Sequence, residues 1–176
     1  MVIFPLRMSY GKAFLLYYLL GFLSCSVFAQ VQFTDSLEQK LSKINGKEKV
    51  DVLNQLTYEF ITHDNVKVIA YNKQALELSK EISYLKGEAR AYTYRGVFEY
   101  LSGQLAEGHN DLNRGLRMAG QAGDRSLQGY TYLQLGNCSV EEVQMDSAFI
   151  FFKQSPEIFK DSACPATLSK LYRNIG

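Results

Sequence analysis

The stretch ARAYTYRGVFEYLSGQLAEGHNDLNRGL, residues 89–116, decides how the chain is read. Ala89, Tyr92, Gly96 and Tyr100 recur at spacings of three and four. After Gly103 the same spacing links Leu105, Gly108, Leu112, Gly115 and Leu116. Side chains at such intervals share one face of an α-helix, and a glycine between two such runs marks a turn. The stretch predicts two helices joined by a short turn, with small residues where the helices approach closely.

Working outward, the pattern returns when the sequence is laid against itself so that Val52 falls on Tyr92. At that shift Val52, Tyr92, Tyr132 and Tyr172 coincide, as do Leu56, Gly96, Gly136 and Gly176. So do Val68, Gly108 and Ala148; Leu78, Met118 and Ile158; and the small residues Ala75, Gly115 and Ser155. The first copy divides at His63-Asp64-Asn65, where Asp64 is placed to cap the second helix. In the third, Tyr132, Leu135, Gly136 and Val140 form one helix and Met145, Ala148, Phe149 and Phe152 begin the next. The copies span residues 49–88, 89–128 and 129–168, with a partial fourth at 169–176. A unit of this length that recurs in one register signals stacked supersecondary pairs.

The motif positions resemble the tetratricopeptide repeat. The second copy supplies Tyr92, Gly96, Gly103, Gly108, Leu112 and Gly115 at that family's signature places. The third supplies Tyr132, Leu135, Gly136, Ala148, Phe152 and Ser155. The first has Val68, Tyr71, Ala75 and Leu76, with Leu56 where the family has glycine. The period exceeds the usual one of about 34 and is similar to a longer variant in exported bacterial proteins of Bacteroidetes type. The resemblance covers residues 47–176 and implies an all-α fold: a right-handed solenoid of stacked antiparallel helical hairpins. Gly108 and Gly115 stand where the family has alanine, so alanine there is expected to stabilise the fold if the crossing has room for a methyl. Glu142-Val143 replaces the usual residue-glycine turn. Pro156 is expected to kink or end a helix near residues 152–156.

The amino end differs from the repeats. Residues 1–29 hold no acidic side chain and two basic ones, Arg7 and Lys12, followed by an apolar run from Ala13 to Leu23 and the small-x-small ending Val27-Phe28-Ala29. That order is a secretory signal peptide, expected to be cleaved after Ala29. A membrane anchor through residues 13–29 and lipid attachment at Cys25 are the alternatives, and Met8 is a possible start. Residues 30–46 are then a lead-in helix or linker. The destination is the periplasm or the exterior.

Of 176 residues, 47% are apolar and 21% charged, with formal charge +1, which excludes disorder and gives no basic excess for nucleic acid. Without residues 1–29 the chain carries 17 basic and 18 acidic side chains. His63 and His109, the two histidines, lie far apart in the chain and read as solvated. No metal-ligand spacing, nucleophile elbow or phosphate loop is present, so no enzyme, cofactor or metal is expected. Asn137-Cys138-Ser139 fits a glycosylation acceptor formally but falls mid-helix. Cys138 and Cys164 could pair after export, and two free thiols are the other reading.

What remains is binding to a protein or peptide, with the membrane involved only through the signal or a missing downstream segment. By resemblance, the first helix of each pair lines a concave groove. The candidates are Arg90, Thr93, Val97 and Tyr100, then Tyr130, Leu133 and Asn137, with Val50, Leu53, Thr57 and Phe60 equivalent in the first copy. Arg90, Tyr100 and Tyr130 are the expected anchors. The alternative for this apolar lining is that the next repeat covers it. Tyr92, Gly96, Gly108, Gly115, Tyr132, Gly136, Ala148 and Phe152 are expected to pack repeats together. Two functions fit: an exported non-enzymatic interaction scaffold, or the sensory input region of a larger membrane kinase or transcription regulator continuing past residue 176.

Overall fold

The structure is a computed structural model that describes residues 32–155. The signal segment, Cys25, Cys164, Pro156 and the partial fourth copy lie outside those residues. Helix α1 (32–41) belongs to a first compact unit ending at Lys43. The second unit holds α2 (Gly46–Phe60), α3 (Asn65–Glu81), α4 (Leu85–Leu101), α5 (Leu105–Gln121), α6 (Arg125–Glu141) and α7 (Met145–Lys153). The described residues form an all-α structure.

Helices α3 to α7 start at positions 65, 85, 105, 125 and 145, an even spacing of half the sequence period. The turns explain this regularity. Ser83, Gly103, Gly123 and Val143 each take positive φ, at 54, 82, 66 and 60°. The next residue then donates its N–H back five positions: Tyr84 to Ser79, Gln104 to Glu99, Asp124 to Ala119 and Gln144 to Ser139, at 2.7–2.9 Å. This closure satisfies the helix-end carbonyls that would otherwise lack partners. Glycine adopts the conformation at little cost, whereas a β-branched valine resists it. The first turn differs: Asp64 caps α3 by accepting from the Lys67 N–H at 3.0 Å, as its position predicts.

Packing is between chain neighbours, with α2 also touching α4, and α4 touching α6. The α4–α5 pair is antiparallel, because Gly115 meets Ala89 and Thr93 while Gly108 meets Gly96 and Tyr100. A Cβ on Gly108 would lie 2.8 Å from both the Gly96 carbonyl oxygen and the Tyr100 nitrogen. On Gly115 it would collide with the Thr93 hydroxyl and backbone. The stabilisation expected from alanine is therefore overturned: both sites are backbone-on-backbone crossings that exclude a methyl.

Val50, Leu53, Leu56, Val68, Leu112 and Leu135 are fully buried along these seams. Buried amides tie the layers together: Asn54 donates to the Gly87 carbonyl at 2.9 Å, and Asn72 to that of Ala91 at 2.8 Å. Helix α7 ends at Lys153, inside the window expected for the proline-induced stop. Cys138 is buried, has no disulfide partner among the described residues, and burial pushes its thiol up to about 11. His63 lies in an exposed turn and His109 on α5. Asn137-Cys138-Ser139 is within α6, with Ser139 buried.

Candidate binding face of the even-numbered helices

Three tyrosines, one from each of α2, α4 and α6, converge on a single spot. Ring centroids lie 5.4 Å apart for Tyr58–Tyr94, 6.1 Å for Tyr94–Tyr130 and 6.4 Å for Tyr58–Tyr130. Tyr58 is 49% exposed, and Tyr94 and Tyr130 are half-buried. Among the described residues none of the three hydroxyls has a hydrogen-bond partner. They border a cavity of about 310 Å³ together with Arg90, Asp124 and Ser126.

The sequence places these rings by a second period. Tyr58, Tyr94 and Tyr130 are evenly spaced, at one helical turn less than the repeat. Because residues four apart share a helix face, each tyrosine stays on the same face but one turn earlier in its own helix. The row crosses the three helices diagonally.

An ionic network closes one side. Arg90 reaches Asp51 on α2 at 3.1 Å and Asp124 before α6 at 3.7 Å, while Lys86 holds Asp124 at 3.1 Å. The Tyr84 hydroxyl donates to Asp51 at 3.2 Å. Asp124 also caps α6, accepting from the Leu127 N–H at 3.1 Å. Burial works against ionisation of Asp124, but the Leu127 N–H, Lys86 and Arg90 together outweigh it and hold the carboxyl below the ordinary range. For Tyr130, burial and then the neighbouring rings of Tyr94 and Tyr58 push the phenol well up; burial does the same to Tyr94. Both stay protonated at physiological pH and can donate as well as accept.

Of the residues expected to line a groove, Arg90 and Tyr130 border this cavity. Thr93, Val97 and Tyr100 do not: all three are buried. Thr93 shares a hydrogen bond of 3.1 Å with Thr131, and the Tyr100 hydroxyl donates to Gln134 at 2.9 Å. These contacts cross from α4 to α6, so α6 covers the residues that were expected to line an open groove. Val50, Leu53 and Thr57 are equally buried. Leu133 packs towards Ala148 and Phe152, and half-buried Asn137 donates to Gln134 at 3.4 Å.

The expected packing residues sit at helix contacts. Tyr92 is buried with Lys80, Arg95 and Arg114 over its ring at 5.1–5.6 Å. Tyr132 lies 6.5 Å from the Phe151 ring, and Phe152 covers Gly136. No cluster of three or more His, Cys, Asp or Glu suited to a metal occurs among the described residues, and no helix there is long and apolar enough to cross a membrane. No family model and no curated protein matches the chain.

Proposed function

We propose that the protein is a non-enzymatic interaction scaffold, exported from the cell, whose hairpins stack into a right-handed solenoid of tetratricopeptide type. Its even-numbered helices hold an extended peptide or protein segment. The observation that supports this most is the tyrosine row: three phenols from three helices, with unpartnered hydroxyls and stacking area exposed. Tyrosine combines apolar contact with a hydrogen-bonding tip at small entropic cost, and a few such anchors dominate binding energy. Arg90 and Asp124 beside the row fix polar contacts, whereas the phenols offer no nucleophile or general base near neutral pH.

The test is selection of peptides from a random library displayed on phage, followed by titration of the winners against Tyr94→Ala. Loss of about 2 kcal/mol or more in binding, with thermal stability nearly unchanged, is the expected result. A library that yields no binder, or winners that bind the variant as tightly as the parent, would remove the proposal.

A further inference from the structure

A second cavity, about 530 Å³, opens between α3 and α4 and shares no residue with the tyrosine face. Its volume falls in the range of small-molecule sites, about 300–1,000 Å³. Val68 and Leu76 form a buried apolar floor, Phe98 is half-buried, and Ile69 stands 58% exposed at the wall. An isoleucine left this open beside a cavity favours an apolar occupant.

The charges select the occupant's sign. Lys73, Lys80 and Arg95 stand against Glu77, Glu99 and the Asp111 that binds Arg95, so the charges balance when Glu99 is ionised and a cation is in excess when it is protonated. Lys73 sits 4.0 Å from Glu77, and Arg95 is bound to Asp111 and lies 3.6 Å from Glu99. Lys80 is different. It has no carboxylate within ion-pair distance among the described residues, and its ammonium rests 5.4 Å from the Tyr92 ring centre.

We propose that the α3–α4 cavity is a binding site for an amphipathic anion, its apolar body lying against Ile69, Leu76 and Phe98 and its single negative head held by Lys80. Glu99 adds a proton linkage. Burial, then Asp111, pushes its carboxyl up to about 7, so near neutrality it is substantially uncharged and does not repel an anion. The groups facing it are Arg95 on its own helix, Asp111 and Glu107 on α5, and Lys73, Glu77 and Lys80 across the cavity on α3. As pH rises through that value, Glu99 ionises and the anion is held less tightly.

Fluorescence titration of the purified protein with anilinonaphthalene sulfonate tests this, with uncharged N-phenylnaphthylamine as the matched body lacking the anion. The sulfonate is expected to saturate a single site and to bind about tenfold or more tighter than the neutral amine. Lys80→Gln, which keeps the aliphatic stem, and Lys80→Glu should each weaken the sulfonate by about tenfold or more; Lys80 is exposed, so both should fold. Tyr94→Ala should leave this titration unchanged while it weakens peptides on the other face, so either reading can fail alone. From about pH 6 to about pH 8 the sulfonate should loosen several-fold, and Glu99→Gln should remove that dependence. Equal affinity for the neutral amine, indifference to both Lys80 variants, or loss of the probe in Tyr94→Ala would each overturn the assignment.

Discussion

Replacing Gly108 by alanine sets two effects of opposite sign against each other. Helix propensity alone favours alanine by roughly 0.5–1 kcal/mol. Against that, the new methyl would stand 2.8 Å from the Gly96 oxygen and the Tyr100 nitrogen and 3.0 Å from the Tyr100 Cβ. Ordinary contact begins near 3.4 Å, so α5 must move about 0.6 Å away from α4. Two of these obstacles are backbone atoms, so no rotamer change relieves them. Overpacking of this kind costs about 1–3 kcal/mol, and the steric term wins with a net loss of about 1–2 kcal/mol. For a domain of this size that lowers the melting temperature by several degrees, at about 2–4 °C per kcal/mol. Gly120→Ala is the control in the same helix, because its nearest neighbour is the flexible end of Gln128 at 3.1 Å. It should gain up to about 0.5 kcal/mol. Thermal melts followed by circular dichroism decide the matter. A Gly108→Ala protein that melts at or above the parent temperature would refute the claim that α4 and α5 touch through their backbones.

Val143→Gly should stabilise the protein by roughly 1 kcal/mol, since valine holds φ at 60° there and is 77% exposed, with little packing to lose; chemical denaturation checks it. Tyr100→Phe should cost about 1–2 kcal/mol by leaving buried Gln134 without its hydroxyl donor, where a residue facing an open groove would show no change in a melt. Glu99 is neutral in the fold up to about 7 but ionises near 4.5 when unfolded, so the fold binds the extra proton and loses stability as pH rises between those values. Melts at several pH values across that window should fall with pH in the parent and flatten in Glu99→Gln. Asp124 runs the other way, its depressed carboxyl contributing stability that disappears as pH drops below the unfolded value of 3.8, so the two windows are separable.

The helices were legible because their signal is strong and local. Apolar spacing of three and four on both sides of Gly103 admits one reading, and α4 and α5 follow it with the turn between them. Asp64 was legible for the same reason, a capping residue at a break in the periodicity. The glycines misled. A sequence shows that Gly108 and Gly115 replace alanine, but not whether the space beside them is empty, because that depends on the separation of two helices. The turn at Val143 is a related case. The sequence shows a missing glycine, yet Val143 takes the same left-handed conformation as Gly103 and Gly123 at the equivalent turns.

The candidate face was half legible, for a geometric reason. A search in register at the full repeat period compares equivalent places in successive repeats, and so finds the contacts that each repeat makes with the next. Thr93 facing Thr131 lies close to that register, at a spacing of 38, and it is core. A ligand lying across α2, α4 and α6, as proposed, would read a different line. It would meet residues whose places shift along the helix from one repeat to the next, and Tyr58, Tyr94 and Tyr130 do so by one turn each time. Arg90 and Tyr130 were found because they are equivalent at the full period and also border the cavity, whereas Tyr58 and Tyr94 are visible only at the shorter spacing. The residues at that period less one turn, Tyr58, Tyr94 and Tyr130, are the ones that come together on the candidate face. Thr93, Val97 and Tyr100 are taken up by burial between neighbouring helices, whereas the three tyrosines keep the surface that the proposed binding function requires.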